Sequence, residues 1–251
     1  MRHAIMTAAA LLVAVTGGFG SGVSEGASFT SFGIDLVTVN AQFLDVDVGA
    51  AEGLAVSLAS HGQEGSLFTT GDYRILHEQV GSTLKVWVET ERLFFGGFDD
   101  GSISLRVPGG TRVEVETASG RIAVDGTECR SLAVKSVSGT VRLRGVRGNI
   151  DASSVSGALS LEDAAGAIRA KTVSGAIEGR DVSFTDDSSF SSVSGTIDIL
   201  CKDDPDSLRF DLSSVSGKIV VDGVRAKKGL RMGFGTIRIR GDTVSGSLTF
   251  R

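Results

Sequence analysis

The chain has 251 residues, 34 of them glycine, 2 proline and 13 phenylalanine, with 41% hydrophobic and 22% charged side chains. That length can bury a core in one extended domain or two small ones. A formal net charge of −5 and a sequence pI near 5.3 argue against nucleic acid or an anionic membrane surface as the main partner, because either needs a basic footprint.

At the N-terminus, Arg2 and His3 precede an apolar run over residues 4–15, and Gly17, Gly18, Gly20, Ser21 and Gly22 come directly after it. This charged, apolar, small-residue order predicts a signal peptide over residues 1–22 and an exported protein, in the periplasm, at the cell surface or secreted. The apolar run is too short to span a bilayer. The alternative is an apolar strand or anchor that stays attached.

Residues 23–107 alternate without a fixed period: Val46 and Val48, Val56 and Leu58, Leu84, Val86 and Val88, then Ile103, Leu105 and Val107. They predict an irregular N-terminal β region that caps the C-terminal repeats. Within it Phe94, Phe95 and Phe98 sit in a glycine-rich turn. Either they close the open end of the core, or they are exposed and meet a partner or a bilayer surface.

From residue 108 to 251 the chain repeats. Gly139, Gly148, Gly157, Gly166 and Gly175 stand nine residues apart, and in each unit between them apolar residues recur at the third, fifth and eighth places, the glycine counted as the first. The third and fifth share one face of a strand, since side chains alternate with period two, so Ile150, Ile168, Ile197 and Ile219 should point inward. A Val-Ser-Gly tripeptide closes every second unit, at Val137, Val155, Val173, Val193, Val215 and Val244, with Ala118-Ser119-Gly120 before them. The expected fold is all-β, a parallel β-solenoid or β-helix with about 18 residues and two strands per coil. The longer spacings Gly175 to Gly195 and Gly195 to Gly217 should bulge out as loops.

The turn residues Gly120, Ser138, Gly139, Ser156, Gly157, Ser174, Gly175, Ser194, Gly195, Ser216 and Gly217 are read as structural. Glycine permits the positive φ a tight bend needs, and the serines should stack as a hydrogen-bonded ladder. As nucleophiles they would need a base and a Gly-x-Ser-x-Gly elbow, and none of these turn serines has either beside it in the sequence.

The order Leu105-Arg-Val-Pro108, Arg112-Val-Glu-Val115, Ala118-Ser-Gly120-Arg-Ile-Ala-Val124, continued by Val-Ser-Gly units, resembles the bacterial DUF4097 family of adhesin-like proteins. The resemblance implies a non-enzymatic envelope protein of β-solenoid type, and brings no catalytic residues and no cofactor.

Other candidates are weak. His61 and His77 lack cysteine or carboxylate partners at zinc-ligand spacing. The acidic stretches Asp99-Asp100, Asp186-Asp187 and Asp203-Asp204-Pro205-Asp206 match no calcium-loop pattern and read as solvated loop tips. Cys129 and Cys201 lie four rungs apart, about 19 Å at strand spacing, which is too far for a disulfide. Arg142, Arg144, Arg147, Arg169, Lys171 and Arg180 alternate with Asp151, Glu162, Glu178 and Asp181 as cross-strand pairs on a solvated sheet.

The expected function is a non-catalytic exported interaction or scaffolding module with a protein or cell-surface ligand. The alternatives are an envelope-stress component contacting lipid or peptide and a carbohydrate-active β-helix enzyme. The end of the sequence, at Leu248 to Phe250, reads as an open strand edge, covered by residues 225–233 or open to self-association.

Overall fold

The computed structural model describes residues 13–16, 29–31, 33–60, 73–90 and 101–251. They form two sheets whose apolar faces meet. The chain alternates between them, one strand in each per coil, and successive strands of a sheet are parallel. In Arg112–Thr117 every second residue is buried, and the same alternation runs through Val141–Arg144 and Ile168–Thr172. Polar and charged residues take the outward places, which is what a half-buried strand requires.

The register stacks like on like. Ile150 pairs with Ile168 and Ala152 with Ala170 in one sheet, while Val141, Leu159, Ile177 and Ile197 succeed one another in the other. Ile150, Ile168, Ile197 and Ile219 are all buried, with Ile168 1% exposed. Inward pointing therefore holds for each of them.

The two corners of a coil are built differently. At one, Gly126, Gly145, Asp163 and Asp181 hold positive φ of 58°, 61°, 47° and 54°, and the chain turns back through the left-handed region. Val146 and Ala164, each in the eighth place of a unit whose glycine is the first, are buried there. The other corner is the Val-Ser-Gly turn, where Val155 and Val173 occupy the same eighth place and are exposed.

The coils do not stack in chain order at either end. Leu36–Gln42 lies between Thr83–Thr90 and Arg112–Thr117, and Asp45–Ala50 lies between Gly101–Val107 and Ile122–Asp125. At the opposite end Ile237–Thr243 is inserted between Ser188–Ser192 and Leu208–Ser214, and Leu248–Phe250 between Ile197–Cys201 and Ile219–Val221. The chain thus steps over a rung and later returns to fill it. The longer Gly195 to Gly217 spacing supplies that step through Lys202, Asp203 and the 3-10 turn Pro205–Ser207. The expectation of an open edge at Leu248 to Phe250 is corrected accordingly: this strand has a neighbour on each side, and Leu248 and Phe250 are buried.

Short antiparallel strands lie outermost. Val224–Ala226 covers Ile219–Val221 and Gly229–Met232 covers Leu208–Ser214. Lys227 and Lys228 join the two. Charge and shortness blunt a sheet edge against further pairing. At the other end Tyr73–Val80 runs antiparallel to Thr83–Thr90, Leu54–Ser60 antiparallel to Gly101–Val107, and Val13–Thr16 antiparallel to Tyr73–Val80.

Candidate interaction surface

The exposed corner valines line up. Along the stack the order is Ala118, Val137, Val155, Val173, Val193, Val244, Val215, because each turn bonds to the one before it: Val137 N–H to Thr117 O at 3.2 Å, Ser156 N–H to Val137 O at 2.8 Å, Ser245 N–H to Val193 O and Ser216 N–H to Val244 O at 2.9 Å. Six valines separated by one strand spacing form an apolar ridge about 24 Å long. Val155 is 44% exposed and Val215 71%.

The motif glycines make this corner possible, but for a reason the sequence does not reveal. None of Gly120, Gly139, Gly157, Gly175, Gly195 and Gly217 has positive φ, which corrects the expectation of a special backbone conformation. Instead the turns press together. A Cβ on Gly139 would lie 1.9 Å from Gly120 O, one on Gly157 1.9 Å from Gly139 O, and one on Gly175 2.1 Å from Gly157 O.

The hydroxyls also divide their work differently from the expected ladder. The residue before each valine is a buried serine or threonine whose oxygen accepts the motif glycine N–H: Thr117 from Gly120 at 3.1 Å, Ser154 from Gly157 at 2.8 Å, Thr172 from Gly175 at 2.9 Å, Ser192 from Gly195 at 2.7 Å, Ser214 from Gly217 at 2.6 Å and Thr243 from Gly246 at 3.0 Å. The motif serines are exposed, and Ser138, Ser194 and Ser216 donate to the valine-position carbonyl of the neighbouring coil. Sequence reasoning misses the capping serines and threonines, although their regular place three before the glycine is a readable signal.

Ser136 departs from this pattern. Its Oγ is buried without a hydrogen-bond partner, and it lines a trough of about 520 Å³ bordered by Gln42, Thr117, Ala118, Lys135, Val137, Ser154 and Val155. The trough opens where Ala118 replaces valine in the ridge. A second, of about 300 Å³, flanks Val193, Val244 and Val215. Ser154→Ala should lower stability by about 1 kcal/mol, through loss of a buried bond to a backbone N–H, whereas Ser136→Ala should cost little. Urea midpoints of the two variants check this, and a larger loss for Ser136→Ala would show that its hydroxyl is engaged in solution.

The remaining candidates do not converge. Phe94, Phe95, Phe98 and His61 lie outside the described residues. His77 is buried and its pKa is lowered by desolvation. Cys129 lies in one sheet and Cys201 in the other, both thiols are free, and burial pushes their pKa values up to about 11 and about 12. Asp99 and Asp100 also lie outside the described residues, and three of the other loop aspartates serve the fold: Asp203 accepts from Ser183 Oγ and Phe184 N–H, Asp204 caps the 3-10 turn, and Asp187 accepts the Arg238 N–H at 2.9 Å. No group of three or more His, Cys, Asp or Glu side chains able to hold a metal occurs among the described residues.

The outer faces carry ion pairs, among them Lys135–Glu116 at 2.7 Å and Arg169–Asp151 at 3.4 Å. Hydrogen bonds from Arg144 and Arg147 hold the Asp125 and Asp163 carboxyls below the usual carboxylate range. Such groups remain charged at neutral pH, which suits surface pairing better than proton transfer.

Two-sheet parallel stacking, unlike corners and the glycine-pressed ridge define a β-solenoid. The family model of Toastrack DUF4097 matches residues 97–233, and the chain belongs to that family. Among solved structures it is similar to a candidate cell adhesion protein from Clostridium sporogenes, at 11% identity and a TM-score of 0.41, covering 90% of this chain and 99% of that one. Candidate adhesins from Bacteroides fragilis and Parabacteroides distasonis are similar at 13% and 12% identity with TM-scores of 0.45 and 0.43, each covering 96% of this chain and 97% of theirs. No curated protein matches the sequence.

Proposed function

We propose that this protein is a non-catalytic, exported cell-envelope module that binds a protein ligand along the valine ridge. The carrying observation is the ridge itself. Six valines are held outward by a corner so tightly stacked that its glycines admit no side chain, and stability alone gives no reason to place apolar residues there when polar ones would serve. Two troughs along one flank, one towards each end of the ridge, offer places for side chains of an extended partner. Family membership supports the adhesin-like reading, and the order of residues 1–22 supports export.

The test compares the Val155→Ser/Val173→Ser double variant with Arg142→Ser, which alters an outward strand site away from the ridge. Both should fold with nearly unchanged melting temperature, since the replaced side chains are exposed. Cross-linking in intact cells should capture a partner protein with the natural sequence and with Arg142→Ser, and lose it with the double variant. Undiminished capture by the double variant would reject the ridge as the contact surface.

A further inference from the structure

The acidic balance of the whole chain conceals a basic end. Residues 218–240 contain Lys218, Arg225, Lys227, Lys228, Arg231, Arg238 and Arg240, against Asp222 as their one acidic residue. Val224–Ala226 and Gly229–Met232 form the end of the stack, and Ile237–Thr243 lies two strands in from Gly229–Met232 in the same sheet. Beside it Phe234 is 103% exposed, the most open of the large apolar side chains among the described residues.

The turn forces that exposure. Gly233 has φ +83°, and a Cβ there would lie 2.0 Å from Leu208 O, while one on Gly235 would lie 1.7 Å from Ser207 O. The backbone on both sides of Phe234 is pressed onto the start of Leu208–Ser214, so the ring is presented to solvent. On the adjoining outer face Arg209 stands directly opposite Arg238 in parallel register, and Arg240 comes one outward place on, opposite Asp211. Like charges facing each other across strands repel. Neither guanidinium of Arg209 and Arg238 is in an ion pair among the described residues, although Asp187 accepts the Arg238 backbone N–H at 2.9 Å and so lies close by, and Asp211 is already paired with Arg231 at 3.2 Å.

We propose that this end of the solenoid docks on an anionic phospholipid surface, with Phe234 inserted among the headgroups and Arg209, Arg238 and Arg240 against lipid phosphates. Charge complementarity selects an anionic surface, and guanidinium groups suit phosphate oxygens. The single presented ring selects lipid: an aromatic side chain gains by entering the interface, while an acidic polymer read by arginines has no need of it. The proposal is independent of the valine ridge. Asp204 and Asp206, in the turn leading into Leu208, oppose the attraction and set a limit on its strength.

The test is co-sedimentation of the full chain with phosphatidylcholine vesicles, with and without phosphatidylglycerol, at low and physiological salt. Binding should require phosphatidylglycerol and weaken with salt. At about fivefold per basic residue, Arg209→Gln/Arg238→Gln should weaken binding about twenty-five-fold. Phe234→Ala should weaken it severalfold without lowering the melting temperature, and Asp206→Asn should strengthen it. Every variant keeps the apolar run over residues 4–15, so differences between them do not report on that run. In a Trp87→Phe background, Phe234→Trp should shift its emission to the blue on phosphatidylglycerol vesicles. The proposal is overturned if the natural sequence ignores phosphatidylglycerol, if Phe234→Ala binds as well as the parent, or if the tryptophan does not shift. Loss of binding in the arginine variant with no dependence on Phe234, together with equal competition by dextran sulfate, would overturn it in favour of an acidic polysaccharide.

Discussion

Gly157→Ala should destabilise the solenoid by about 4 kcal/mol or more, an effect far beyond the helix or strand preference of either residue. The added methyl would sit 1.9 Å from Gly139 O, 2.8 Å from Gly139 C and 2.9 Å from Ser154 Oγ. Two of these atoms belong to a backbone fixed by the next coil, so neither can yield without separating the stacked turns. The capping bond from Gly157 N–H to Ser154 would be strained at the same time. Gly126→Ala makes the contrasting case. That glycine has φ +58° with nothing within 4 Å of an added Cβ, so the cost should be the conformational one of about 1 kcal/mol. Ser160→Val, at an outward strand position, should cost less still. Denaturant midpoints for the three variants give the ranking, and equal losses for Gly157→Ala and Gly126→Ala would refute close stacking as the reason for the motif glycine.

This pair of glycines shows where the sequence is readable and where it stops. A nine-residue spacing treats Gly139, Gly148, Gly157 and Gly166 as equivalents, yet Gly148 and Gly166 have φ of +124° and +147° while Gly139 and Gly157 are not in the positive region. Spacing reports that a side chain is forbidden. It does not report whether conformation or a neighbour forbids it, because the neighbour is a carbonyl 18 residues away. The inward isoleucines were legible, since period-two alternation within a strand is a local property. The outward valines were not. Val146 and Val155 look alike in the repeat, and only the two unlike corners send one into the core and the other to the surface.

Coil order was hidden for a related reason. Every rung presents the same inward aliphatic residues, so Ile197 can pair with Leu248 as readily as with Ile219, and the local pattern is the same in both arrangements. The trace left in the sequence was the longer Gly195 to Gly217 spacing, which reads equally as a surface loop or as a step over a vacant rung. Its aspartates turn out to secure that step, with Asp203 bonded to Ser183 and Phe184. The basic end came from the same rearrangement: Arg209 and Arg238 are far apart in the chain and meet only because Ile237–Thr243 returns beside Leu208–Ser214.

Phe250→Ala should therefore cost about 3 to 5 kcal/mol, although a reading of Leu248–Phe250 as a free edge would expect little. The Phe250 ring is 1% exposed. Its centroid lies 5.7 Å from that of Phe190 and 5.5 Å from that of Phe210, and Phe190 meets Phe184 edge-on at 6.0 Å. Phe210 and Phe190 come from strands that flank Ile237–Thr243 in the facing sheet, so the ring joins coils that the chain order separates. Truncation would leave a cavity between two sheets whose backbones are hydrogen-bonded on both sides, and little collapse could fill it. Leu248→Lys should be at least as damaging, since it would bury an unpaired ammonium in the same rung. The measurement is chemical denaturation with light scattering on the same samples. Lowered midpoints with an unchanged association state are expected for both variants, whereas an unchanged midpoint accompanied by a shift in association would return Leu248–Phe250 to the edge of the sheet.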